Sequence, residues 1–226
     1  MLKQRKILII AAHPDDETLG CGGTILKHQQ NGDNIYLIWM TNGINARVSV
    51  SAEEKLARTQ GYQAALKFIK PESYKLFDFP DNQMDTVPLL SVTQSLESEI
   101  IQIAPDIIYT HCPQDLNVDH VMTYKALITA TRPGSKSFVK EIYGFEVPSS
   151  TEWNFGAPSF EPDTFVDITD WIDQKKELLK CYKDELRSFP HARSMENIIA
   201  LNQVRGATAN LPYAEAFITL RRVINA

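Results

Sequence analysis

The chain has few cysteines, no long apolar run, no basic cluster and no linker, and each absence removes a class of protein. Its three cysteines among 226 residues, Cys21, Cys112 and Cys181, are odd in number and widely spaced, with no CxxC pair. That excludes a disulfide framework and a zinc site closed by thiolates, and points to the reducing cytoplasm. Cys112 reads as a small packed filler after a strand. No stretch approaches the ~18 apolar residues of a membrane span. The opening MLKQRKILIIAA starts like a secretory leader, but HPDD cuts its apolar part short after Ala12. A formal net charge of −5, without clustered Lys or Arg, excludes nucleic acid as the main partner and suits a neutral or mildly polar small molecule. No Ser/Gly-rich or Pro-rich segment divides the 226 residues, and there is no internal repeat, so one domain over residues 1–226 is expected.

What is present is an alternation of short apolar runs with helix-period segments, the mark of repeated βα units and a mostly parallel sheet flanked by helices. Strands are expected at Lys6 to Ala11, Asn34 to Thr41, Tyr74 to Phe77, Asp106 to Thr110 and Glu141 to Phe145, with a last one at Glu215 to Val223. Helices are expected at Thr18 to Gln30, Ala52 to Ile69, Leu89 to Ile103, Asn117 to Thr131, Trp171 to Arg187 and Arg193 to Arg205. The stretch VPSSTEWNFGAPSFEPDT has no period and reads as a long loop. Its Phe155 and Phe160 are apolar residues suited to a subunit contact, so a homo-oligomer is an open expectation.

Histidine is scarce, five in all, and its placement is the most informative feature of the chain. AAHPDDETLG, Ala11 to Gly20, sets His13, Asp15 and Asp16 just after the first apolar run; THCPQDLNVDH, Thr110 to His120, sets His111 and His120 after the fourth strand. In a doubly wound sheet those strand ends are neighbours where the strand order reverses, and ligands bind in that crevice. His13, Asp16 and His120 then form a set of three nitrogen and carboxylate donors, which is what a catalytic Zn²⁺ site takes while keeping one position for water. Plainer readings stand beside this one. Asp15 and Asp16 would also suit the start of a helix, and Asn117 with Asp119 would cap the next. His111 reads as a supporting or core imidazole, and His28, late in its helix, as a surface residue.

The AHPDDE run, TNG after the second strand, FPDN at Phe79 to Asn82, the DxNxDH at Asp115 to His120 and AEAF near residue 214 together resemble the PIG-L/LmbE-like family of zinc-dependent de-N-acetylases. The resemblance implies a Rossmann-like fold holding Zn²⁺ through His13, Asp16 and His120, with Asp15 as general base and an N-acetylated amino sugar or glycoconjugate as substrate. Many relatives carry HPDH at the last motif; here Asn117 stands at the first of those histidines, and its work would fall to Asn117, Asp115 or another group. His191, in SFPHARS, is a second choice for the acid that protonates the leaving amine. Substrate contacts are expected from Asn42, Arg47, Arg58, Asp81 and Asn82, with Trp153 suited to stacking on a sugar ring. Asn42, Arg58 and Asp81 also fit plainer turn, solvated-helix and loop-cap roles.

A reading of another kind is a Rossmann-like module that binds a nucleotide or metabolite without hydrolysing it. The glycines of GCGG, Gly20 to Gly23, invite it. Their spacing does not: a dinucleotide fingerprint needs GxGxxG at the strand-to-helix turn, which HPDDE occupies, and close helix-sheet packing explains these glycines better.

Overall fold

A computed structural model describes residues 4–44, 51–156 and 158–224. Arg47, an expected substrate contact, lies outside them.

The first strand, β1 (Lys6–Ala11), is apolar from Ile7 onward and buried on both faces, as a central parallel strand must be. It pairs in parallel with β2 (Asn34–Trp39) on one side and β4 (Ile107–His111) on the other. With β3 (Ser73–Leu76), β5 (Glu141–Phe145), β6 (Thr164–Asp167) and β7 (Ala214–Arg222), the sheet runs in the order β3-β2-β1-β4-β5-β7-β6. Only β7 runs antiparallel to its neighbours, β5 and β6. The order reverses between β1 and β4, so the expected crevice opens beside the ends of those two strands.

Among the described residues six helices cover the two faces: α1 (Asp16–Gln30), α2 (Ala52–Ile69), α3 (Leu89–Ile103), α4 (Val118–Ala130), α5 (Ile172–Lys180) and α6 (Met195–Thr208). One core joins Ile7, Ile9 and Trp39 to Ile25, Ala65, Leu178 and Ile198, which belong to α1, α2, α5 and α6. The other joins Leu8, Ile10 and Ile108 to Val92, Leu96 and Leu127 of α3 and α4. Among the described residues no helix is long and apolar enough to cross a membrane.

Helix α1 needs special support, because Cys21 is non-helical (φ −145°, ψ 24°) and splits it in two. The second half starts with donors that lack intrahelical partners. Glu215 of β7 supplies the missing acceptor, taking the N–H groups of Gly23 and Thr24 at 2.8 and 2.7 Å. Fully buried Lys175 balances that carboxylate at 2.7 Å and also donates to the Leu19 carbonyl at 3.2 Å. Gly20 and Gly23 let the helix approach the sheet: a Cβ would fall 2.3 Å from the Phe145 ring and 2.8 Å from Ile168, respectively.

Three expectations are corrected. His28 is not on the surface; it is 8% exposed, held between Asp33 at 2.7 Å and the Tyr109 hydroxyl at 3.0 Å. The long loop after β5 leads into a strand that was not expected, β6, which begins at the loop's last residue, Thr164, and pairs with β7. Helix α5 ends at Lys180, and the turns after it bring Glu185 towards α2. In the long loop, Phe155 is 88% exposed, whereas Phe160 is half-buried beneath the Arg205 guanidinium.

Candidate active site

The turn after β1 is folded by its own carboxylate: the His13 N–H donates to Asp16 Oδ2 at 2.9 Å. From the neighbouring strand end, Asn117 caps α4 by accepting the N–H groups of Asp119 and His120, which fixes His120 in the first turn. The result is a triangle. His13 Nδ1 lies 3.2 Å from Asp16 Oδ2 and 3.3 Å from His120 Nε2, and His120 Nε2 lies 3.2 Å from Asp16 Oδ2. All three side chains are buried.

Proton accounting shows what this triangle accepts. The far nitrogen of His13, Nε2, faces Asp119 at 3.1 Å and Asp81 at 3.3 Å, and the far nitrogen of His120, Nδ1, faces Asp115 at 3.0 Å. If those nitrogens donate to the carboxylates, His13 Nδ1 and His120 Nε2 turn lone pairs towards Asp16, and the triangle holds acceptors only. Asp16 Oδ1 is also buried without a hydrogen-bond partner. A tetrahedron with bonds of roughly 2.0–2.1 Å has edges of about 3.3–3.4 Å, close to the spacing found. The donor set and its dimensions therefore fit a small divalent cation.

The local charge favours a cation as well. Burial pushes the His120 pKa down, but Asp16 and Asp115 together outweigh it and raise the value to about 9. Burial opposes ionisation of Asp16 too, yet His120 and His13 hold it well below the usual carboxylate range. His111 goes the other way: burial, then the neighbouring His120 charge, bring it down to about 3. It stays neutral, stacks on His120 at 3.9 Å, and its Nε2 accepts the Ala12 N–H at 2.8 Å, a supporting place rather than a vertex of the triangle.

Asp15 stands apart from the triangle and lines a cleft of about 170 Å³ with His13, Asp81, Asn82 and Asn117. Its backbone is in the positive-φ region (φ 126°), a conformation that costs of order 1–3 kcal/mol and gathers at functional sites. Its carboxylate contacts Arg193 at 3.0 Å and Arg58 at 3.4 Å, and Arg58 continues to Glu185 at 3.0 Å. Burial raises the Asp15 pKa, and the two guanidinium groups moderate the rise. Beside them Gly43 adopts φ 66°, the left-handed region that favours glycine, and a Cβ there would fall 2.5 Å from Arg58 Nη2.

The remaining expected residues separate into different places. Asp81 is buried at the cleft, the Arg58 side chain is largely covered there, and Asn117 lines it while its amide donates to Asn82 at 3.0 Å. Asn42 serves its turn, accepting the Ile44 N–H at 3.1 Å and reaching Asp78. Asp115 does not face the opening: Ser150, Thr151, the Asn117 N–H and His120 Nδ1 occupy its oxygens. Its pKa falls to about 2, burial being outweighed chiefly by His120. His191 lines a separate groove beside Trp153, and its Nδ1 accepts the Arg193 N–H at 3.0 Å. The residue this turn sends to Asp15 is Arg193.

Sequence reasoning missed three contributors. Asp119, read as a helix-start acid, accepts from His13, from the Asn82 N–H at 2.6 Å and from the Met84 N–H at 3.0 Å. Glu185 fell inside the expected helix Trp171 to Arg187 and Arg193 at the start of the next, and neither was expected at the site. For Asp119 the signal was available, as an acid next to a ligand-like histidine; for the other two it was not.

Fold and site together define a doubly wound α/β protein with a cation-sized cluster of two imidazoles and a carboxylate at its topological switch point. The chain belongs to the PIG-L family, GlcNAc-PI de-N-acetylase, which matches residues 8–131. It is similar to the uncharacterized deacetylase YaiS of Escherichia coli, with 29% identity over 187 residues, 80% of this chain and 92% of that protein. It is also similar to the 4-oxalmesaconate hydratase of Pseudomonas putida, with 25% identity over 238 residues, 94% of this chain and 88% of that protein. Among solved structures, the N,N'-diacetylchitobiose deacetylase of Pyrococcus horikoshii shares the fold, with a TM-score of 0.77 at 19% identity over 96% of this chain and 84% of that one.

Proposed function

We propose that this chain is a zinc-dependent amide hydrolase that removes the N-acetyl group from an amino sugar or glycoconjugate. The observation that carries the reading is the convergence of one ligand atom each from His13, Asp16 and His120 in a buried triangle, with the separate carboxylate Asp15 sharing the cleft. Held by those three residues, zinc supplies a Lewis acid that makes water more acidic and an acetamide carbonyl more electrophilic. Asp15 takes the proton of the attacking water as the C–O bond forms, and returns it to the amide nitrogen as the C–N bond breaks. The products are acetate and a free amine. Arg193 and Arg58 hold the Asp15 carboxylate in place through that exchange, and Asp119 and Asp115 fix the two ring orientations. The placement of His191 in the neighbouring groove favours Asp15 for both proton transfers. Asn82 and Asn117, on the rim, are suited to sugar hydroxyls. Two buried cysteines and a third half-buried, all unpaired, suit a cytoplasmic enzyme.

The hydratase relative supports a second reading, because an acidified water and a carboxylate base also serve addition of water to a double bond. A panel of N-acetylated amino sugars, scored for acetate and liberated amine with and without chelator, separates the two. The expected result is acetate release that chelator abolishes and Zn²⁺ restores. Turnover of 4-oxalmesaconate with no acetate from any sugar would select the hydratase. A protein that carries no divalent ion and gains nothing from added Zn²⁺ would sink both and leave a metabolite-binding module.

A further inference from the structure

Asp15 occupies the N-cap of α1, yet its side chain makes no capping bond to that helix. An aspartate there ordinarily turns inward to accept an N–H of the first turn. Here it points to Arg193 and Arg58, on a backbone with φ 126° that a non-glycine residue adopts only when its surroundings impose it. The imposing contact comes from two residues on. Glu17, fully buried, accepts the Asp15 N–H at 3.0 Å through Oε2, which also takes the Trp39 indole N–H at 2.8 Å. Its Oε1 accepts the hydroxyls of Thr18 and Tyr182, each at 2.8 Å. Three donors, one each from β2, α1 and the turn after α5, lock this carboxylate, and the locked carboxylate holds the Asp15 backbone through its N–H.

We propose that Glu17 is a positioning residue for Asp15, holding its peptide N–H so that the aspartate side chain is released from helix capping and delivered to the cleft. The inference rests on the reading of Asp15 as the base. It assigns Glu17 no contact with substrate and no proton to carry. What matters is an acceptor at the right reach, so Glu17→Gln preserves the arrangement: the amide oxygen meets the two N–H donors, and the NH₂ meets two hydroxyls that can rotate to accept it. Glu17→Asp keeps the charge and falls one methylene short.

The test compares crystal structures, zinc content and steady-state kinetics of Glu17→Gln and Glu17→Asp, alone and in an Asp15→Asn background, on an N-acetylated amino sugar. Glu17→Gln should stay within about threefold of wild type, whereas Glu17→Asp should lose roughly 100-fold in kcat, the scale of an ångström-sized misplacement, with KM and zinc content nearly unchanged. In the Asp15→Asn background, Glu17→Asp should cost nothing further, which a merely structural role would not produce. The Glu17→Asp structure should show Asp15 turned away from Arg193. If Asp15 stays in place there, the proposal is overturned whatever the activity. It is equally overturned if Glu17→Gln is folded and zinc-loaded but slow, and this arm still decides should Glu17→Asp fail to fold. A wild-type protein that releases no acetate would count against the functional reading, while the crystal structures would still decide whether Glu17 holds Asp15.

Discussion

At the scale of single residues, the proposed mechanism divides labour between groups that would hold a cation and groups that would move a proton, and substitutions should separate the two. His13→Ala and His120→Ala remove vertices of the triangle, so metal analysis should find less than one zinc per chain and activity should vanish with it. Asp15→Asn should keep its zinc and lose on the order of 10²–10⁴ in kcat, the range of a general base. A zinc-free Asp15→Asn protein would end this division. Asp115→Asn, behind His120, should cost about 10- to 100-fold in zinc affinity or activity without abolishing either. The sequence shows the triangle because scarce histidines sit beside acids at two strand ends. It does not show Glu185 or Arg193, since a charged residue near a helix end looks the same whether it meets water or a buried aspartate, and only the path of the chain after α5 decides.

At the scale of elements, α1 carries the load that the site imposes. Its first turn bears Asp16 and Glu17, its middle breaks at Cys21, and β7 and α5 repair the break through Glu215 and Lys175. Gly20→Ala and Gly23→Ala should each destabilise the fold by roughly 1–3 kcal/mol through overpacking. Gly22 has room, since a Cβ there would stand 3.6 Å from its nearest neighbours, so Gly22→Ala should be neutral or stabilising by up to about 1 kcal/mol. Urea midpoints at constant slope would measure the difference, and equal losses at all three positions would refute the packing account. Lys175→Met should cost about 3 kcal/mol or more, because it strands the Glu215 carboxylate in the core. Most element positions were legible from apolar runs and helix-period segments. Short edge strand β6 was not, because only four residues pair there and none is fully buried, which leaves little pattern to read.

At the scale of the whole molecule, the proposed active site and the buried His28 lie at opposite ends of one helix. The 15 residues of α1 span ~22 Å, with the metal-ligand candidates at its start and His28 in its last turn. Burial depresses the His28 pKa below its ordinary value of 6.5, with Asp33 opposing in part. A neutral ring donates from Nδ1 to Asp33 and accepts the Tyr109 hydroxyl at Nε2, so neither contact needs a charge. Between the unfolded value near 6.5 and the lower folded value, the unfolded chain binds a proton that the folded protein refuses. Stability from this group is therefore present above pH 6.5 and is lost as the pH falls towards the folded value. His28→Gln lacks that proton. Its stability deficit relative to wild type should shrink between pH 7.5 and pH 5, while acetate release at pH 7.5, measured on folded protein, stays unchanged because the site is a helix length away. Thermal-melt curves of the two proteins across that range make the comparison, and groups common to both cancel in the difference. Parallel curves would show that His28 keeps the same proton affinity folded and unfolded, and its burial between Asp33 and Tyr109 would then carry no pH dependence.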